Sequence, residues 1–162
     1  MSSKGTSFPT VPLDKVPAAH PSEKADAYRP VVLVVDDESQ IADSLTDILK
    51  RNGYAAISAY DGEAALETAL VMPPELLISD VVLPGMNGIE LATTLLRIFP
   101  DCKVILLSGQ SSTARLLAKA EYDGHRFLLL TKPVHPRELL DRVAQELKPH
   151  SQLAAIGAVA RN

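Results

Sequence analysis

Between residues 31 and 147 the chain repeats one pattern five times: a short aliphatic run, then a longer segment with apolar residues at helical spacing. The runs are Val31–Val35, Tyr54–Ala59, Leu76–Ile78, Lys103–Leu107 and Phe127–Leu130. Short, nearly continuous runs of Val, Ile and Leu read as strands covered on both faces. Strands alternating with helices imply right-handed crossovers and a parallel sheet with helices on both sides. Five such units predict a doubly wound α/β fold with strand order 2-1-3-4-5.

The intervening segments supply the covering helices. They are predicted from about Ser39 to Arg51, with Ile41, Leu45, Ile48 and Leu49 inward, and from Asp61-Gly62-Glu63 to the stop at Pro73-Pro74, with Ala65, Leu66, Ala69 and Leu70 inward. A third spans Gly88 to Phe99, burying Ala92, Leu95, Leu96 and Phe99. The fourth runs from about Ser112 to Tyr122 over Leu116, Leu117 and Ala120, and the fifth from Pro136 to Leu147 over Leu139, Leu140, Val143 and Leu147. Asn52-Gly53 and Asp123-Gly124 end two of them with residues that tolerate a left-handed turn. The organised domain is thus residues 29–148. Residues 1–28 carry Pro9, Pro12, Pro17 and Pro21 and no sustained apolar period, so they read as a flexible arm, with Phe8, Val11, Leu13 and Val16 as candidates for docking. Residues 149–162 form an Ala-rich tail.

Composition removes several classes of function. The core must be aliphatic, because 46% of the residues are apolar but only 4% are aromatic and Trp is absent. A net charge of −4 leaves no nucleic-acid footprint. No apolar run approaches the ~18–20 residues that cross a bilayer, and the amino terminus lacks the basic and apolar regions of a secretory signal. The one cysteine, Cys102, excludes an internal disulfide and fits small-hydrophobe packing at a strand start. The expectation is a soluble cytoplasmic protein.

Chemistry is expected where the strands open into loops. In open α/β sheets ligands bind at the carboxyl ends of the strands, at the switch point between strands 1 and 3. Asp36 and Asp37 follow the first strand, Asp80 follows the third, Ser108 the fourth and Lys132 the fifth. A lone carboxylate at a strand end caps a helix or starts a turn as readily as it does chemistry. Three together repel one another and call for a cation. A hard divalent ion held by few protein ligands and several waters, as Mg²⁺ is, suits them. Lys132 can pair with a carboxylate or a phosphoryl oxygen, Ser108 offers a small hydroxyl, and Gly109 leaves room for an anion. An ionised aspartate attacks phosphorus to give an acyl phosphate, and phosphoryl transfer asks mainly for positioning and charge neutralisation.

Four stretches, in order and each at a strand end, carry a resemblance: Val34-Val35-Asp36-Asp37-Glu38, Ile78 to Gly88, Leu107-Ser108-Gly109 and Thr131-Lys132-Pro133. Over about residues 29–148 the chain resembles the receiver domain of two-component response regulators, of the stand-alone type. The resemblance implies a bacterial phosphoprotein that accepts a phosphoryl group on Asp80 from a histidine kinase or phosphotransfer protein. It implies Asp37 as a direct Mg²⁺ ligand beside Asp80, Asp36 acting through water, and the main-chain carbonyl of Val82 as a third protein ligand. It also implies Ser108 as the switch hydroxyl, Lys132 as the phosphoryl-pairing lysine and a cis Lys132-Pro133 bond. Such a protein is no enzyme toward other substrates. Its output runs to a protein target or a second copy through the face of helix 4, strand 5 and helix 5.

The chain departs from the family pattern at Leu129. Receivers usually place an aromatic there, three residues before the lysine, and it swings inward with the switch hydroxyl. Leu128-Leu129-Leu130 is either a buried strand or an apolar partner surface. The leucine favours an alternative in which a degenerate receiver acts as a constitutive interaction module; the intact polar set argues against it. A phosphohydrolase ranks last, because such enzymes need a second aspartate where Val82 stands. The histidines His20, His125, His135 and His150 show no metal-ligand spacing. The positions that tune hydrolysis in the family are Val82 and Gln110 here, and Val82 cannot orient a water. Phospho-Asp80 is therefore expected to hydrolyse slowly in the purified, Mg²⁺-bound protein. Following phosphate release without an added phosphatase checks this, and rapid release would overturn it.

Overall fold

The computed structural model describes residues 28–109 and 113–148, so the predicted arm up to residue 27, Gln110 and the tail from residue 149 lie outside the described residues. The elements follow in strict alternation: β1 (Val31–Val35), α1 (Ser39–Arg51), β2 (Ala55–Ala59), α2 (Gly62–Val71), β3 (Leu76–Asp80), α3 (Gly88–Ile98), β4 (Lys103–Ser108), α4 (Thr113–Tyr122), β5 (Leu128–Thr131) and α5 (Pro136–Glu146). The strands form one sheet in the order β2-β1-β3-β4-β5, every pair parallel. This is the predicted order.

Successive side chains of a strand point to opposite faces, so the aliphatic runs feed two cores at once. Leu33, Val35, Leu77 and Leu106 pack under α2, α3 and α4, together with Ala65, Leu91, Ala92 and Leu95. Val32, Val34, Leu76, Ile78, Ile105 and Leu107 pack under α1 and α5, against Leu45, Leu49, Leu139 and Val143. Each fully buried leucine contributes roughly 1.5–3 kcal/mol by leaving water. Local chemistry fixes the helix starts. The Asp61 carboxylate accepts from the Ala64 N–H at 2.7 Å. Asn87 and Glu90 close a reciprocal capping box at the head of α3. His135 caps α5, and Pro136 takes the first-turn position that has no use for an N–H.

The structure departs from expectation in several places. Leu70, predicted to face inward, is 63% exposed. Small Ala65 and Ala69 line the side of α2 that meets the sheet, and Leu70 lies about 100° around the helix from Ala69. On α3, Leu96 and Phe99 are only half-buried, while Ile89 and Leu91 complete the stripe. The last strand starts one residue late and runs to Thr131. Being an edge strand with one neighbour, it buries Leu130 but leaves Leu129 exposed, so it is not a strand covered throughout.

One glycine is required by close approach. A Cβ on Gly88 would collide with the main-chain oxygen of Asp80 and stand 2.9 Å from Ser79 Oγ. Gly88→Ala should therefore cost about 1–3 kcal/mol as an overpacking substitution, read as a lower urea midpoint at unchanged m-value.

Candidate functional site

Main-chain pairing delivers the polar groups to one edge. Asp36 continues β1, its N–H donating to Ala59 O at 3.2 Å. Asp80 is the last residue of β3 and lies opposite Leu107 of β4. Lys132 follows β5, its N–H donating to Ser108 O at 2.8 Å, and the Lys132-Pro133 bond is cis. The lysine side chain reaches across the carboxyl ends of the strands to Asp36 and Asp80.

Lys132 Nζ donates to Asp36 Oδ2 at 2.6 Å and to Asp80 Oδ2 at 2.9 Å. Asp36 is wholly inaccessible, and its second oxygen accepts from the Glu38 N–H at 3.0 Å. Both oxygens of this buried charge are thus paired, as burial demands. Asp80 is also buried, and its Oδ1 accepts from the Val82 N–H at 3.2 Å. Asp37 is exposed at the rim. One carboxylate oxygen from each of Asp36, Asp37 and Asp80 falls within a span of 4.8 Å. Three carboxylates thus meet one ammonium, and the excess of negative charge fits a divalent cation with hard oxygen ligands. Ser108 is buried at the end of β4, opposite Thr131. Val82 is about half exposed.

Two supporting residues escaped the sequence reading. Ser79 is buried in β3 and donates from its hydroxyl to the Asp80 main-chain oxygen at 2.9 Å; a hydroxyl inside an aliphatic run was its only signal. His135 caps α5 through Nδ1, which accepts from the Arg137 N–H at 3.3 Å, and the His-Pro pair at a helix start was legible. Cys102 is buried just before β4. Burial, abetted by the Glu75 charge, pushes its thiol up to about 12, against the pull of a hydrogen bond with the Leu77 backbone. It is inert packing.

The sequence and the fold match known proteins. The response regulator receiver domain family matches residues 32–144, and the chain belongs to that family, whose members are phosphoacceptor switches of two-component signalling. The DNA-binding response regulator MtrA of Mycobacterium bovis is 32% identical over 123 residues, covering 76% of this chain and 53% of MtrA. The chain thus spans about half the length of that relative. The signal receiver domain of an HD domain-containing protein from Pseudomonas fluorescens Pf-5 is 32% identical with a TM-score of 0.69, covering 75% of this chain and 96% of that one. The chemotaxis response regulator CheY4 of Vibrio cholerae is 27% identical with a TM-score of 0.65, covering 74% and 100%. No helix among the described residues is long and apolar enough to cross a membrane.

Lys132 sets a pH dependence. Burial alone would lower its pKa, but the hydrogen bonds and charges of Asp36 and Asp80 outweigh burial and raise it above the ordinary 10.5. The folded state holds this proton more tightly than the unfolded chain, so the stabilisation is complete below 10.5 and is lost as pH rises through the raised value. Urea unfolding from neutral to strongly alkaline pH should show a steeper loss of stability in the metal-free wild type than in Lys132→Met. Equal slopes would remove the lysine from the account.

Proposed function

We propose that Asp80 accepts a phosphoryl group from the phosphohistidine of a histidine kinase or phosphotransfer protein, and that residues 29–148 act as a signalling switch read by protein contact. The observation that carries this is Lys132 reaching Asp36 and Asp80 together at the carboxyl edge of the sheet. In the transfer a carboxylate oxygen of Asp80 bonds to phosphorus as the P–N bond breaks. The imidazole leaves with the electron pair and takes a proton from water. Lys132, which bonds Asp80 Oδ2 at 2.9 Å, is assigned to pair with a phosphoryl oxygen, while the Val82 N–H bonds the other Asp80 oxygen. Ser108, at the end of β4, is the hydroxyl assigned to pair with the phosphoryl group. Asp36, Asp37, Asp80 and the Val82 carbonyl are the groups assigned to hold Mg²⁺, Asp36 through water. Bound there, Mg²⁺ would neutralise charge as the anion approaches.

A groove of about 680 Å³ adjoins Lys132 and Gly109. Ile41, Leu45 and Ile48 of α1 form one wall, and Val134 and Pro136 the other. It is suited to an apolar stripe on the helix bearing the donor histidine. Output is assigned to the α4–β5–α5 face, where Leu129 is exposed. A cytoplasmic setting follows from such a donor. The relative MtrA is named a DNA-binding regulator; for this chain, with a net charge of −4, protein contact is the proposed output.

One observation favours a second reading. Leu129 lacks the aromatic ring whose inward swing reports phosphorylation in the family, which favours a degenerate receiver acting as a constitutive interaction module. Beryllofluoride or a small phosphodonor with Mg²⁺ separates the two. The switch gains the mass of one phosphoryl group from the phosphodonor, loses that gain in Asp80→Asn or on chelation, and shifts amide signals at Ser108 and along β5. No mass gain and no shift would leave the constitutive module.

A further inference from the structure

A second surface lies at the opposite, amino-terminal edge of the sheet. Leu70, Val71 and Met72, at the end of α2, and Ile98, at the end of α3, are all exposed, Val71 by 86%. The two helices pack side by side and end at the same edge. Leu70 lies one turn beyond Leu66, which packs on the core below α2 and α3. Four aliphatic side chains presented together by two neighbouring helix ends are more than scattered surface leucines.

The chain before β1 is routed to this place. Tyr28 lies three residues before Val31, whose oxygen accepts from the Glu75 N–H at 2.9 Å. The Glu75 carboxylate accepts in turn from the Val31 N–H at 3.2 Å. The chain therefore enters the sheet beside the start of β3, close to the end of α2. Met72 precedes Glu75 by three residues, so at most about 11 Å of extended chain separates them.

We propose that the segment Phe8-Pro9-Thr10-Val11-Pro12-Leu13-Asp14-Lys15-Val16 covers this patch, its apolar residues meeting Leu70, Val71, Met72 and Ile98. Residues 17–27 span up to roughly 36–40 Å when extended, several times the distance needed. Tethering gives the segment an effective concentration on the order of millimolar, so weak apolar contacts suffice. A second copy is the poorer occupant, since four partly exposed side chains fall short of the ~800 Å² per partner of a stable interface. The patch lies at the opposite edge of the sheet from Asp80, so this docking does not depend on phosphoryl transfer.

The test uses the full chain, ¹⁵N-labelled, with Ser7→Cys carrying a nitroxide; buried Cys102 stays unreactive. Amide signals of Val71, Met72 and Ile98 should lose most of their intensity while those around Lys132 keep theirs. Phe8→Ser, Val11→Ser and Leu13→Ser combined, or Val71→Asp on the folded domain, should each restore the lost signals. An absent or uniform loss would overturn the proposal, as would a loss untouched by these substitutions. A loss that fades as the labelled chain is diluted with unlabelled chain would assign the patch to a second copy and equally overturn it.

Discussion

The carboxyl edge depends on one bifurcated contact, the Lys132 ammonium shared between Asp36 and Asp80. Asp36 is a charge with no access to water. Such a group is tolerated only when its oxygens are fully paired, and removing one partner of a buried pair typically costs about 3–5 kcal/mol. The contact joins the ends of β1, β3 and β5 across the sheet. It exists because strand order sets β1 beside β3, and because the Lys132 N–H pairs with Ser108 O, so that the lysine leaves β5 in the right direction. Lys132 is thus a structural cation, and in the proposed function it is also the partner of the incoming anion. Both roles draw on the same excess of carboxylate.

Around this contact the rigid and the open parts of the domain are distributed unevenly. Asp80 is braced from behind: Ser79 holds its carbonyl, Gly88 leaves that carbonyl room, and the Asn87–Glu90 box starts α3 directly beyond. β3 is buried from end to end. By contrast β5 has one neighbour and an exposed Leu129, and only Ala120 of the α4 side chains described is fully buried. Regions with few buried apolar contacts open at the lowest free energy. In the proposed function, a change in charge at the braced carboxylate is answered at the α4–β5 edge. The same fold carries apolar surface at its opposite edge, where Leu70, Val71, Met72 and Ile98 are exposed.

Much of this was legible in the residues themselves. Five aliphatic runs between amphipathic segments sufficed for the parallel sheet and its order, because a doubly covered strand has no polar face to misplace. The convergence of Asp36, Asp37, Asp80, Ser108 and Lys132 followed, since side chains at the carboxyl ends of neighbouring parallel strands share one crevice whatever the loops do. Period alone could not show how far each side chain stands from the sheet. Leu70 fits a helical stripe, yet alanines bring α2 close to the sheet and leave that leucine outside. Leu129 sits in an aliphatic run, but an edge strand lacks the neighbour that would cover it. Which carboxylates share the ammonium, and that Ser79 and Gly88 hold Asp80 from behind, was decided only in three dimensions. Hydrogen bonds between residues 96 and 52 positions apart depend on how the strands are brought together, and no local pattern encodes that.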